Sequence, residues 1–459
     1  MSSSRSASPE RSSRVLRGPG PGTPSVAALA VMVGGMLAVS AAFVAYVLAT
    51  RPKPGLDMQV YWRAAQVLQG NNPTTSDLYD PVLVQAGKLE LPFTYPPLSA
   101  LAFYPLGGMT LEQAWTTMAV VGVLLTCVLA AVCLRLAPFS RDWFGVRVVP
   151  TLLAFAVFCG VLWNLYPSRF TIVYGQVNTM LAILILADLG RRARRRWGSG
   201  FLTGVAAGFK ITPAAMGLVP LVQGRWRTLV GMAVGVATTI AVSAVFLPRE
   251  VWAYFTSELW QTGRVGEVDR ISNMSLNGLL HLWDLPDGLL KPVWLAAVLL
   301  VVAGGAAGIR RASRVQDFFS ATVIGALVML LISPITWEHH WVWVAPLMIA
   351  LVPAAPRAAP AWQWAVALTL IGLVFWSFTS APSVFAAQVL GENYPEVVLH
   401  GPPALERVAT VPVVVAVLSG VWLALRPYPA ALTALTTAPE PRDSDLGALQ
   451  DLGDQRRDR

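Results

Sequence analysis

Residues 111–135 read LEQAWTTMAVVGVLLTCVLAAVCLR, a polar start followed by an unbroken apolar stretch that ends on Arg135. The apolar positions do not alternate, and the run is long enough for a helix to cross the roughly 30 Å hydrocarbon core of a bilayer. A backbone in lipid must satisfy its own hydrogen bonds, which leaves helices or closed barrels, and a long non-alternating run selects the helix. Comparable runs recur near 26–49, 147–166, 176–190, 227–247, 290–309, 316–333, 340–354, 361–379 and 408–426, so the expectation is an all-α, polytopic transmembrane bundle of about ten helices. Composition agrees: 55% of the 459 residues are hydrophobic and 13% charged, against about 25% charged in soluble domains. Mean hydropathy is +0.57.

The net charge of +9 does not mark a nucleic-acid binder, because the arginines cluster in short loops between apolar runs. Arg11, Arg14 and Arg17, then Arg135, Arg141 and Arg147, Arg191 to Arg196, Arg225 and Arg227, Arg310, Arg311 and Arg314, Arg357 and Arg426 fall on one side. By the positive-inside rule that side is cytoplasmic. Long loops at 50–110, 248–289 and 380–407 then lie outside, with turns at 167–175 and 334–339. They carry most of the acids and all four histidines (His281, His339, His340 and His400). The three cysteines sit in or beside apolar runs without metal-ligand spacing. Residues 1–24 and 431–459 read as disordered cytoplasmic tails, with 25–430 as one membrane domain. The run at 26–49 is too long for a cleavable leader. Residues 200–222, broken by Pro213 and basic on both flanks, read as a hairpin that enters and leaves on one side.

Polar residues set into apolar surroundings are the candidates for chemistry. In RPKPGLDMQVYWRAAQVLQG (51–70), Asp57 opens an amphipathic helix with Val60, Tyr61, Ala64, Ala65 and Leu68 on one stripe. Such a helix suits the membrane interface. Asp57 is either its N-cap or a general base at the water–lipid boundary. In LPFTYPPLSALAFYPL (91–106) the prolines argue against an ordinary span; Phe93 and Tyr95 are interface anchors or sugar-stacking rings. SRFTIVYGQVNTM (168–180) offers Arg169, Tyr174, Gln176 and Asn178, facing a cavity or bonding between helices. Lys210 in GFKITP is one of four lysines and has no acid near it in sequence. It either snorkels or pairs with an anion such as a lipid phosphate. ISPITWEHHWVW (332–343) puts Glu338, His339 and His340 at a helix mouth, with Trp337, Trp341 and Trp343 as expected interface anchors. Adjacent side chains on a helix diverge by about 100°, so His339 and His340 make a poor metal pair. VDRISNMSLNGLL (268–280) offers Arg270, Asn273, Ser275 and Asn277 for recognition, or a solvated loop with a helix cap. The one DxD match, Asp443 to Asp445, lies in the cytoplasmic tail and is discounted.

Together LDMQVYW, LPFTYPPL, YGQVN, GFKITP and the HHW turn resemble the actinobacterial membrane mannosyltransferases of glycosyltransferase family 87, over roughly residues 26–426. The resemblance implies a GT-C type bundle with interfacial helices in long outer loops, at the plasma membrane, with its site on the extracytoplasmic side. It implies mannose transfer from polyprenyl-phosphate mannose to a glycolipid mannoside, often as an α-(1→2) bond, with inversion. Such products belong to phosphatidylinositol mannoside, lipomannan or lipoarabinomannan synthesis. Asp57 matches the place of the family's catalytic acid, and Lys210, His340, His339 and Arg169 would bind the donor phosphate. Tyr61, Arg63, Tyr95, Tyr174, Gln176, Asn178, Asn273 and Glu338 would contact sugar or acceptor. No metal or other cofactor is expected, nor a nucleic-acid partner. Met58 stands where some GT-C enzymes carry a second acid, which leaves Asp57 to act alone. A transferase for another lipid-phosphate sugar, such as arabinofuranose, and a lipid or sugar transporter are the alternatives. A transporter should show internal repeats and an acid within its spans, whereas Asp188 and Glu112 are marginal.

Overall fold

A computed structural model describes residues 55–86, 89–139, 148–191, 199–283, 285–379, 408 and 410–428. The expected span near 26–49, both tails and the loop at 380–407 lie outside them. The helices are α1 (Leu56–Leu68), α2 (Pro97–Phe103), α3 (Leu111–Leu136), α4 (Val148–Asn164), α5 (Tyr166–Val173), α6 (Asn178–Leu189), α7 (Phe201–Phe209), α8 (Leu218–Val222) and α9 (Trp226–Phe246). There follow α10 (Pro248–Thr256), α11 (Leu276–His281), α12 (Asp287–Arg314), α13 (Phe318–Ile332), α14 (Val344–Leu351), α15 (Ala361–Ser377) and α16 (Val411–Leu425). A small antiparallel hairpin, β1 (Val84–Ala86) and β2 (Leu89–Leu91), decorates the first loop, with Val84 opposite Leu91.

Helix α3 starts where its sequence says it should. Thr110 accepts from the Gln113 N–H and the Gln113 side chain accepts from the Thr110 N–H, a reciprocal cap. Among the described residues three helices, Leu111–Leu136, Trp226–Phe246 and Gly288–Arg314, are long and apolar enough to cross a membrane. The α4–α5 pair, bent by 72°, would make a fourth. Five further apolar helices, Asn178–Leu189, Thr212–Val222, Phe318–Ile332, Ala361–Ser377 and Val411–Leu425, are shorter. Each expected apolar run that falls on described residues therefore carries a helix, but several of these helices are shorter than a full crossing. The breaks have local causes: extended Leu165 and then Pro167 end α4 and start α5, and an irregular Ser333–Trp337 stretch follows α13. Such breaks are tolerated at membrane depth where they are buried in protein or line a cavity.

The tightest crossing is α7 against α9. A Cβ on Gly204 would overlap the Met232 carbonyl oxygen and lie 2.9 Å from the Gly235 Cα. Only glycine lets the two backbones approach this closely. At the other end of this unit the Arg225 guanidinium donates to Ser199 Oγ at 3.1 Å. The chain thus returns at residue 225 to where it left at 199, as the hairpin reading expects, and Lys210 sits at its turn. Asp188 accepts from the N–H groups of Gly200 and Thr203, which caps α7 and explains that acid structurally. Behind the bundle, buried Arg426 joins Asp317 at 2.6 Å and tethers α16 to α13.

Candidate active site

Gly55, whose N–H donates to Val173 O, is the N-cap of helix α1, so Asp57 is the second helical residue and not the N-cap. Its stripe is confirmed: Met58, Val60, Tyr61, Ala64 and Ala65 are buried, with Leu68 partly so. Tyr61 stacks on Phe103 at 4.2 Å and its hydroxyl donates a hydrogen bond to Tyr95 Oη at 2.8 Å.

The turn Tyr174–Asn178 organises the rest. Gly175 has φ +66°, a left-handed backbone that a side chain disfavours, and Met58 Sδ fills the space a Cβ would need. The turn aims two amides at two ionisable groups. Gln176 Nε2 donates to Asp57 Oδ2 at 2.8 Å and to Tyr95 Oη at 3.4 Å. Asn178 Nδ2 donates to the His339 carbonyl at 3.0 Å, and its Oδ1 accepts from Lys210 Nζ at 3.1 Å. Lys210, in extended conformation just after α7, places Nζ 2.9 Å from His340 Nε2 and 5.2 Å from the Tyr95 ring centre. The 3₁₀ turn Glu338–Trp343 positions both histidines; His340 Nδ1 accepts from the Trp337 N–H at 3.1 Å, and His339 meets Tyr174 edge to face.

These groups surround two adjoining spaces. A cleft of about 260 Å³ is lined by Asp57, Tyr95, Gln176, Lys210 and both histidines. A second chamber, of about 570 Å³, is lined by Asp57, Glu90, Tyr174, Arg270, Trp337 and Glu338. Asp57, Arg264, Trp337 and His339 face both. Burial pushes the Asp57 carboxyl above its ordinary value, opposed by the Gln176 hydrogen bond. Burial also raises Glu338, to about 7. The arrangement sets a carboxylate suited to accept a proton at the junction, a lysine in the smaller space, and hydroxyl-binding groups in the larger one. Among the described residues no group of three His, Cys, Asp or Glu could hold a metal.

Five residues from the sequence reading line neither chamber: buried Tyr61 and Asn178 sit behind Tyr95 and Lys210 as supports, and Arg169, Arg63 and Asn273 are not brought here at all. Arg169 is exposed on α5, whose buried face is Pro167, Ser168, Thr171 and Ile172, and it lines neither chamber. Arg63 turns to Gln66 Oε1 at 3.0 Å and to the Trp62 ring. Asn273 is a brace: it donates to the Val268 and Pro334 carbonyls and accepts from the Thr336 N–H, while Ser275 caps α11. Nor are Trp341 and Trp343 interface anchors, since both are buried in the core. Arg264 was missed. It pairs with Glu258, donates to the Tyr79 carbonyl at 2.8 Å and faces both chambers. Its only sequence signal was a basic residue within an acid-bearing loop.

The comparisons with known proteins point the same way. The chain is 32% identical over 341 residues to the polyprenol-phosphate-mannose-dependent alpha-(1-2)-phosphatidylinositol pentamannoside mannosyltransferase of Mycolicibacterium smegmatis, covering 72% of this chain and 78% of that protein. It is 31% identical to the protein of that name from Mycobacterium tuberculosis, over 72% and 74% of the two chains. A phosphatidylinositol mannoside mannosyltransferase from Mycobacterium tuberculosis is 29% identical, over 57% and 62%. No solved structure matches. The model of glycosyltransferase family 87 matches residues 93–334, which with these relatives makes the chain a member of that family.

Proposed function

We propose that the protein moves mannose from polyprenyl-phosphate mannose to a lipid-linked mannoside, with inversion and formation of an α-(1→2) bond. The reaction takes place on the extracytoplasmic side of the plasma membrane, within phosphatidylinositol mannoside, lipomannan or lipoarabinomannan synthesis. The activities for which the relatives are named support the donor and acceptor. The observation that carries the reading is the enclosure of Asp57 and Lys210 in one cleft, each held by an amide of the same turn.

In this mechanism Asp57 takes the proton of the acceptor hydroxyl as its oxygen attacks the anomeric carbon. The bond from that carbon to the phosphate oxygen breaks on the opposite face, and the phosphate leaves with the electron pair. Lys210 stabilises the departing anion, with Asn178 holding Lys210 in place and His340 beside it. Tyr95 and Gln176 contact the donor sugar, and Tyr174 and Glu338 the acceptor glycan. Residues 25–430 form the catalytic domain, and residues 1–24 and 431–459 are cytoplasmic tails. The test is mannose transfer in membranes supplied with polyprenyl-phosphate mannose and a phosphatidylinositol mannoside. Lys210→Ala should raise the donor KM at least tenfold; an unchanged donor affinity would remove Lys210 from the site. Preference for polyprenyl-phosphate arabinofuranose in the same assay would overturn the donor assignment.

A further inference from the structure

The hydrogen bonds around His340 constrain the proton inventory of the cleft. Its Nδ1 accepts from the Trp337 backbone N–H at 3.1 Å, so a neutral ring carries its proton on Nε2. That Nε2 lies 2.9 Å from Lys210 Nζ. An ammonium has three donors and no lone pair, so a charged lysine would set two donors against each other. The other tautomer moves the conflict to Nδ1, against a backbone N–H that cannot be lost. An imidazolium conflicts at both ends. A neutral amine satisfies every contact: Nε2–H donates to the Nζ lone pair, and Nζ–H donates to Asn178 Oδ1 at 3.1 Å. Asn178 cannot offer its other end, because its Nδ2 already donates to the His339 carbonyl.

The charged and titratable groups facing Lys210 are Asp57 from α1, Tyr95 from the first loop, and His339 and His340 from the 338–343 turn; Glu258 and Arg264 line the same cleft. Asp57 Oδ2 is engaged by Gln176, and among the described residues Lys210 has no carboxylate at hydrogen-bond distance. Lys210 is itself buried, in surroundings that penalise a lone charge.

We infer that Lys210 is an uncharged amine in the donor-free enzyme, and that binding of a phosphate-ester anion takes up one proton and creates the ammonium that faces it. This rests on the reading of the cleft as the donor site and specifies its ligand as a singly charged phosphodiester. Protonation removes the lone pair that His340 was using, so that contact opens and an N–H turns to the phosphate. During transfer the acceptor proton goes to Asp57, the electron pair of the broken bond goes to the phosphate, and the new ammonium already stands beside the second negative charge.

Calorimetry on the purified full-length enzyme tests this, with a short-chain prenyl-phosphate mannose and no acceptor, in buffers of different ionisation enthalpy. The probe is a diester, so its own charge is constant between pH 7 and 9. The expected result is uptake of close to one proton per site together with a Kd that rises close to tenfold per pH unit at the same pH, since the slope equals the uptake, both fading together where the bound ammonium itself begins to titrate. The same behaviour should persist in Asp57→Asn and vanish in Lys210→Arg, whose guanidinium stays charged throughout. Tight wild-type binding with no proton exchange and a flat pH profile would overturn the inference, as would loss of the slope in Asp57→Asn. Absence of wild-type binding, or binding untouched by Lys210→Ala, would overturn the donor-site reading as well.

Discussion

Replacing Asp57 by Asn changes charge and proton affinity but almost nothing in shape. The new amide oxygen can still accept from Gln176 Nε2, now 2.8 Å from the carboxylate, so the turn that also holds Asn178 and Lys210 should persist. What disappears is the base. A positioned general base contributes about 10²–10⁴ in rate, or about 2.7–5.4 kcal/mol at 1.36 kcal/mol per tenfold. Stability should move the other way. Burial raises the folded-state value of this carboxyl, so its ionised form costs folding free energy once pH exceeds the unfolded value, and a neutral Asn removes that cost. Thermal unfolding of Asp57→Asn at pH 7.5 should therefore match or exceed that of the wild type, while turnover falls at least a hundredfold. The same upward shift sets the wild-type pH profile: below the raised value the base is protonated, and kcat/KM should fall tenfold per pH unit, starting above the usual carboxylate range. Initial rates of mannose transfer at matched protein levels provide the measurement. An Asn variant keeping more than a tenth of wild-type turnover would refute the assignment of Asp57 as base.

Gln176→Ala removes a hydrogen bond that favours the charged carboxylate, so the acidic limb of kcat/KM should move to higher pH, with a larger loss at pH 6 than at pH 8; superimposable profiles would refute this. Arg169→Ala should leave donor KM within about twofold, because the residue points out of both chambers; a tenfold rise in a steady-state assay would reinstate it. Gly204→Val forces a side chain between α7 and α9 and should destabilise by about 1–3 kcal/mol, read as a lowered melting temperature in detergent. Arg426→Ala strands the buried Asp317 carboxylate, 3% exposed, and should cost about 3–5 kcal/mol; unchanged melting would show that the pair is dispensable.

Much of the site was legible because each residue broke a local rule. A lysine in GFKITP, or an asparagine and a glutamine at the start of an apolar helix, costs too much in lipid to be there without a partner. Asp57 stood out for the same reason, at the head of an amphipathic stretch. Which polar residues meet was not legible, since Lys210 and His340 are 130 residues apart and Gln176 and Asp57 are 119. Arg169 shows the limit: nearness in sequence to Gln176 made it a candidate, yet the α5 helix turns it outward. Asn273 and the buried Trp341 and Trp343 show it again, as residue types that suited recognition or an interface were used for bracing and packing.

The apolar runs alone determined that this is a helical membrane protein, because burying a backbone in lipid leaves few alternatives. They also marked where helices must break, since proline and glycine act locally. Helix lengths, the partners of each buried polar group and the division of the site into two chambers were decided by tertiary structure. Those properties depend on which distant segments share a surface, and hydrophobic periodicity records how a residue is buried but not what it is buried against.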